Sequence, residues 1–475
     1  MIKNSLRAIL FSLLFISSLQ AQQGFEIQIK LTGYSYDTIW FGQTVGKRAE
    51  QTFFALKQAE GEFLLKSDAP LAQGMYALGM KRSAGAPLQY LPCWLADGQR
   101  KFSIYASFNQ LLETATSTDS EENQNYFTYL RDYESLTNNL DRLCYDWKDM
   151  QDEATFEAML AAEAVLQQYQ LEFTRKHPGS LTAKLVEQTR FAQVPDPEHG
   201  YNTWREKADA WFAWQREHFF DRMNLASDDF LRQPLWLDRT DFYVLKLSQP
   251  NPESMIAMLE SVFKQLQPNA EAYQYYFRYM MNSLSRMSRY RTDEVFVHFV
   301  RTYVDKGKVD WLAAADIEKY QSEAKRMEPL FEGKKVPDVT FYDKDNQALT
   351  LYKVESPYTL LVFWRYDCSH CRKELPILKN VYQQYESKGL KVVAVCGNSG
   401  EAAMPSCWDF AKSLPMPAEW HVVADPLRRS RFSALFNVSG YPRFFLLDAD
   451  KNIIFKQAGE ASEKALIQAF GKVMQ

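Results

Sequence analysis

The sequence predicts a multidomain α+β chain: an N-terminal antiparallel β domain, a central α-helical domain, and a C-terminal domain with a mixed sheet flanked by helices. Three observations predict it. Short alternating apolar runs fill residues 25–108, helical periodicity fills about 126–328, and beyond 333 strand and helix patterns alternate. At 475 residues the chain exceeds one ordinary core, and the usual domain size of roughly 100–200 residues makes three units the natural division.

Charge narrows the possible partners. The 55 basic and 59 acidic residues leave a net charge of −4 with no long single-sign block. Neither nucleic acid nor an anionic membrane surface is implied. The aromatic fraction of 15% points to large aromatic cores or an aromatic-lined surface.

At the N-terminus, Lys3 and Arg7 precede an apolar run over 8–16, followed by small and polar residues ending near Ala21. This reads as a secretory signal peptide over 1–21, because a spanning helix needs about 20 apolar residues. An uncleaved anchor is the alternative. The first cysteine is Cys93, far from the cleavage region, so a lipid anchor is unsupported. The expected location is the periplasm or cell envelope, with the mature chain soluble. Six cysteines are too few for a disulfide-built scaffold, while export permits a disulfide that is used in chemistry.

The β-rich domain is assigned to 22–113. Phe25, Ile27, Ile29 and Leu31 alternate, 38–41 forms a second run, 53–65 is broken at Glu60-Gly61, and Asp97-Gly98 splits 88–104 into an expected hairpin. An antiparallel sandwich or open barrel follows. Residues 114–125 are polar and are expected to be a linker. The helical domain, 126–328, contains Asn251-Pro252-Glu253, a cap, a first-turn proline and an acid, ahead of an apolar face. Its aromatic clusters, 211–214 and 273–277, read as helical core. Nothing there reveals a function of its own.

The third domain is assigned to 329–475. A hairpin over 339–352 leads to strand 359–364, helix 371–385, strand 391–396, helix 406–414, short strand 421–424, helix 427–436, strands 443–447 and 453–456, and helix 460–470. A βαβ unit followed by a ββα unit fits that order.

Where the first of these strands meets its helix stands Cys368-Ser369-His370-Cys371. One helical turn brings two sulfurs together on one side. Cys368, the outer thiol, would meet the positive end of the helix dipole and act as nucleophile; Cys371 would resolve the mixed disulfide. His370 favours the thiolate and Asp367 opposes it, with Arg365, Arg372 and Lys373 offsetting the acid, so the redox direction stays open. Zinc would need two more ligands at short spacing, which Cys396, Cys407 and His421 do not supply. Neither a metal nor a bound cofactor is expected.

Residues 333–475 resemble the thioredoxin-fold domains of TlpA/ResA-type exported thiol:disulfide oxidoreductases. The matching residues are Val362-Phe363-Trp364, the Cys-Ser-His-Cys segment, Arg372, Glu374, Pro376 and Gly440-Tyr441-Pro442. The resemblance implies a cis bond before Pro442 in a loop that holds the client by backbone pairing. It also implies that Glu374 helps deprotonate Cys371, with Trp364, His370 and Tyr441 as supporting residues; a solvated first-turn acid is the alternative for Glu374. The Ser-His dipeptide and the preceding acid depart from commoner family members. Residues 25–325 are diffusely similar to the uncharacterised β-rich and helical domains that precede such domains in some Gram-negative envelope proteins.

The expected function is disulfide exchange with envelope client proteins, coupled to a membrane-borne dithiol donor or acceptor. A peroxiredoxin-type thiol peroxidase is one alternative, although Arg365 fills the place where that chemistry wants a Thr. A non-enzymatic envelope binding protein with a structural thioredoxin-like domain is another. Cys396 and Cys407 are read as buried unpaired thiols in the first instance, with a second disulfide as the alternative; Cys93 and Cys144 are read as buried free thiols.

Overall fold

The computed structural model describes residues 24–195, 200–287, 291–414, 416–458 and 463–474. The signal peptide expected over 1–21 and the start of the helix expected at 460 lie outside them. The chain is a multidomain α+β protein with an N-terminal sheet, a central run of helices and a C-terminal thioredoxin fold. It forms two compact units. One comprises the described residues up to 139 with 162–193 and 218–240; the other comprises 140–161, 194–217 and the described residues from 241 onward.

In the first unit, strands β1 (Phe25–Thr32), β2 (Thr38–Val45), β3 (Arg48–Ala49), β4 (Phe53–Ala59), β5 (Glu62–Ser67), β6 (Gly74–Lys81), β7 (Leu88–Leu95) and β8 (Lys101–Ser107) form one sheet. Its order is β7-β6-β2-β4-β5-β1-β8, with β3 on β2. β1 shows how the pattern works: Phe25, Ile27, Ile29 and Leu31 point into the core while their neighbours stay wetter. The pairing is antiparallel except between β1 and β8, which run parallel.

Asp97-Gly98 does not make the expected hairpin. β7 pairs with β6 and β8 with β1, leaving only an isolated Ala96–Gln99 bridge at the turn. Residues 96–100 instead join the two ends of the strand order, so the sheet curls back as an open barrel. β6, a Met- and Gly-containing strand, carried no clear alternation because nearly all of it is buried. Within 114–125 a helix begins at Glu121, and Asn123 is fully buried, its side chain bonding both the N–H and the C=O of Trp94.

Among the described residues, every regular element from Leu111 to Leu330 is helical. Helix Pro252–Leu266 starts where the Asn251 carboxamide accepts the Ser254 N–H at 2.9 Å, and Phe263 packs against Phe277 across to helix Ala270–Leu284.

The C-terminal sheet contains β9 (Thr340–Tyr342), β10 (Ala348–Thr350), β11 (Tyr358–Trp364), β12 (Leu390–Cys396), β13 (His421–Ala424), β14 (Arg443–Leu447) and β15 (Ile453–Ala458). They lie in the order β10-β9-β13-β12-β11-β14-β15. β11 is parallel to β12 and antiparallel to β14. Its alternate residues serve two cores: Leu360, Val362 and Trp364 face helices Ser369–Tyr385 and Met404–Ser413, while Leu361 and Phe363 pack with Phe432, Phe436 and Phe445. A strand covered on both faces reads as a continuous apolar run, which is what 360–364 shows.

The helix expected over 427–436 shrinks to one turn, Phe432–Leu435. Arg428 and Arg431 both adopt left-handed backbone angles, and the Asp425 carboxylate binds the N–H groups of Arg429 and Ser430, which holds the segment as a loop.

Candidate functional site

Cys368 sits where β11 ends, as the N-cap of helix Ser369–Tyr385. Its Sγ accepts the Cys371 N–H at 3.2 Å and faces the Tyr441 carbonyl oxygen, to which the thiol donates at 3.4 Å. The outer sulfur is therefore gripped between the first turn of a helix and a loop from across the sheet, and it remains partly exposed. The helix start presents N–H dipoles to any negative charge that develops there.

Cys371 lies one turn inside and is fully buried. Burial pushes its thiol above the ordinary range, and the hydrogen bond to Cys368 pushes in the same direction. Both cysteines are free thiols. The pair thus combines a reachable sulfur with a shielded one.

The neighbours are placed by the same elements. Trp364 is buried beneath the site, its ring stacked on Phe410 at 5.2 Å, and the Arg372 guanidinium covers the other ring's face at 4.6 Å. Glu374 is on the buried face of the dithiol helix with Cys371, Leu375 and Leu378, and only 3% exposed. An acid held there is no solvated first-turn residue. His370 points outward and is exposed. The helix continues through Pro376.

The Tyr441–Pro442 peptide is cis. Tyr441 rests against Gly397, where an added Cβ would come within 2.4 Å of the ring, so glycine is required for that approach. The Gly397 N–H in turn binds the Trp364 carbonyl at 2.6 Å.

Asp367 is paired. Arg365 donates to it through Nε and Nη2, and Asn398 donates to Oδ1 at 3.3 Å. The Arg365 hydrogen bonds hold the Asp367 carboxyl down at about 2. Asn398, which no motif announces, also accepts the Tyr366 N–H and so braces the turn before Cys368.

Cys396 and Cys407 form a disulfide, with Cα atoms 6.3 Å apart, which corrects the first reading of them as unpaired. Cys396 ends β12 beside Trp364, and Cys407 lies on the buried face of helix Met404–Ser413, so both side chains project into the same core. Cys93 and Cys144 are free and buried.

A cleft of about 700 Å³ opens beside the dithiol turn, walled by Arg365, Asp367, Asn398, Arg428, Arg431 and Tyr441 among others. Sequence reasoning did not find it, because its walls come from four separate segments.

The C-terminal region is similar to known proteins. Residues 331–470 match the Redoxin family. The thiol-disulfide oxidoreductase ResA of Bacillus cereus is 25% identical over 134 residues, which is 28% of this chain and 73% of the relative. ResA of Bacillus subtilis is 27% identical over 139 residues, covering 29% of this chain and 74% of the relative. A thioredoxin-like protein from Bacteroides caccae aligns over 60% of this chain and 98% of its own, with 16% identity and a TM-score of 0.45. The thioredoxin domain of a thiol-disulfide oxidoreductase from Bacteroides vulgatus aligns over 31% of this chain and 99% of its own, with 24% identity and a TM-score of 0.26.

Proposed function

We propose, from the premise that the C-terminal region is a Redoxin domain of the TlpA/ResA type and the chain a thiol:disulfide oxidoreductase, that Cys368 and Cys371 exchange disulfides with client proteins of the cell envelope. The observation that carries the reading is the placement of the Cys368 sulfur: capped by a helix N–H, partly exposed, and set against the Tyr441 carbonyl with Cys371 one turn behind it.

The reaction runs in two displacements. The Cys368 thiolate attacks one sulfur of a client disulfide; an S–S bond forms between them, and the other client sulfur leaves as a thiolate and is protonated. The Cys371 thiol then gives up its proton and attacks the Cys368 sulfur. This releases the second client thiolate and leaves a Cys368–Cys371 disulfide, so two electrons have passed to the client. The reverse sequence oxidises a client dithiol.

Burial makes the Cys371 proton the harder one to remove. Glu374, buried on the same helix face, is the group we assign to take it. The loop carrying Tyr441 and Pro442 would line the client groove, with Trp364 as the floor and His370 at the rim. No bound cofactor is needed, because the dithiol itself carries the electrons; a membrane-borne dithiol partner would reset it. Export is supported by the signal-peptide pattern at 1–21 and by the Cys396–Cys407 disulfide, a bond that persists in oxidising compartments.

The test is exchange with a disulfide-bonded protein substrate. Cys368→Ser should abolish exchange, and Cys371→Ser should arrest it as a covalent protein–client adduct. A Cys368→Ser protein working at the full rate would refute the reading.

A further inference from the structure

Three arginines, Arg365, Arg428 and Arg431, and two carboxylates, Asp367 and Asp425, line the cleft beside the turn that precedes Cys368. Two of its carboxylates are already occupied. Asp367 is bound by Arg365, and Asp425, almost fully buried, accepts the N–H groups of Arg429 and Ser430 and the Ser430 hydroxyl at 3.0, 2.9 and 2.6 Å. Arg428 and Arg431 remain. Both are exposed, and among the described residues neither guanidinium has a carboxylate within ion-pair distance; the Arg428 guanidinium donates to the neutral Ser399 hydroxyl.

Their backbone is also unusual. Arg428 and Arg431 have φ angles of 54° and 53°, a region that residues with long side chains rarely occupy. The Asp425 hydrogen bonds and the Gly400 N–H, which binds the Pro426 carbonyl at 2.9 Å, hold the loop in that shape. Strained positions that the surroundings over-determine cluster where a protein recognises something. Here the strain places two guanidiniums in the wall of the space shared with Tyr441 and the turn before Cys368.

We propose that Arg428 and Arg431 form a carboxylate subsite that selects client segments bearing an acidic residue a few positions from the reactive cysteine. This deepens the disulfide-exchange reading and rests on it. Guanidiniums pair bidentately with carboxylates, and complementary charge at a binding rim acts mainly on the rate of productive encounter. A cleft of this size accommodates a short extended segment rather than a whole folded surface.

The experiment uses the full reduced chain and three synthetic peptides, each with one cysteine blocked as a neutral 2-thiopyridyl disulfide. They are identical but for a Glu, Gln or Lys near the cysteine. Cys368 attacks the peptide sulfur, and the 2-thiopyridone released is followed by absorbance. Rates are normalised to each peptide's reaction with dithiothreitol, which removes intrinsic differences. At low ionic strength the Glu peptide should react about tenfold faster than the Gln peptide, and the ratio should shrink as salt rises. The double variant Arg428→Gln, Arg431→Gln should bring the ratio near one, and the charge reversal Arg428→Glu, Arg431→Glu should make the Lys peptide the fastest, a gain that misfolding cannot mimic.

Exchange with all three peptides at equal rates, or a preference for Glu that survives both variants, would overturn the subsite alone. No exchange with any peptide would overturn the dithiol assignment and the subsite with it.

Discussion

Arg365 lays its guanidinium along the Asp367 carboxylate, Nε on one oxygen at 2.8 Å and Nη2 on the other at 2.6 Å, one residue before Cys368. The acid that would repel a thiolate is thus neutralised locally. Replacing it should therefore act through the released arginine: Asp367→Asn should raise the reduction potential of the Cys368–Cys371 couple by about 10–30 mV. A glutathione redox titration measures this, and an unchanged or lower potential refutes it. The pair's stabilising contribution is present above the ordinary carboxyl value of 3.8 and fades as pH falls towards about 2. It is modest, because both side chains are well exposed.

The two active thiols should differ sharply in reactivity. With Cys371 fully buried and its thiol pushed up by that burial, iodoacetamide at neutral pH should modify Cys368 alone. Cys371 should react only well into the alkaline range, and mass spectrometry of the digested protein separates the two sites. Equal labelling at neutral pH would contradict the structure.

If Glu374 takes the Cys371 proton, Glu374→Gln should slow resolution of the mixed disulfide by about 100-fold while leaving its formation rate close to wild type. Quenched-flow sampling on non-reducing gels would show the adduct accumulating. An equal slowing of both steps would assign Glu374 a packing role instead.

The Cys396–Cys407 bond closes a short loop, with a sequence separation of 11. Its removal in Cys396→Ala, Cys407→Ala should cost about 2–3 kcal/mol of stability by the chain-entropy relation. Urea unfolding under oxidising conditions reads this directly, and exchange activity should persist at temperatures where the variant stays folded. Loss of exchange in a folded variant would show that the second pair relays electrons.

A pH effect on stability should originate in the helical region, at Lys148. Lys148 is buried, donating to the Leu245 carbonyl at 2.7 Å and to the Ser248 hydroxyl at 3.1 Å, and burial lowers it from 10.5 to about 7. Below about 7 it is charged in both the folded and unfolded chain, and its desolvation is fully felt. Between about 7 and 10.5 the unfolded chain binds the extra proton, so stability rises with pH by at most about 1.4 kcal/mol per unit. Lys148→Met should flatten that slope in urea titrations taken from pH 7 to 10; an identical slope would exclude Lys148 as its source.

How much of this was legible in the sequence depends on range. Cys368 and Cys371 were visible because both the spacing and the strand-to-helix change are local, and β11 was visible because a doubly covered strand is an unbroken apolar run. The Asp97-Gly98 turn misled because a turn signal says nothing about which strands will pair, and β8 finds β1 rather than β7. The helix expected over 427–436 failed for a reason that the apolar spacing of Leu427, Phe432 and Leu435 hides: the Asp425 side chain offers the backbone an alternative to helix. The Cys396–Cys407 pairing is local, 11 residues apart, but spacing alone does not say whether two buried thiols bond; Asn398 and the arginine cleft rest on distances between segments remote in sequence, which no pattern of residue types encodes.

Four cysteines in one domain can pair in three ways, and the structure joins Cys396 to Cys407 while leaving Cys368 and Cys371 as thiols. Cys396 lies directly across the β11–β12 register from Trp364, the last residue of β11 before the turn that carries Cys368. Neither Cys396 nor Cys407 exposes any surface, whereas Cys368 does. A reductant or client thiol arriving at this face meets one sulfur it can strike. If Cys368 and Cys371 cycle as proposed, access alone would direct exchange to the outer pair and spare the Cys396–Cys407 bond, whatever the relative potentials of the two.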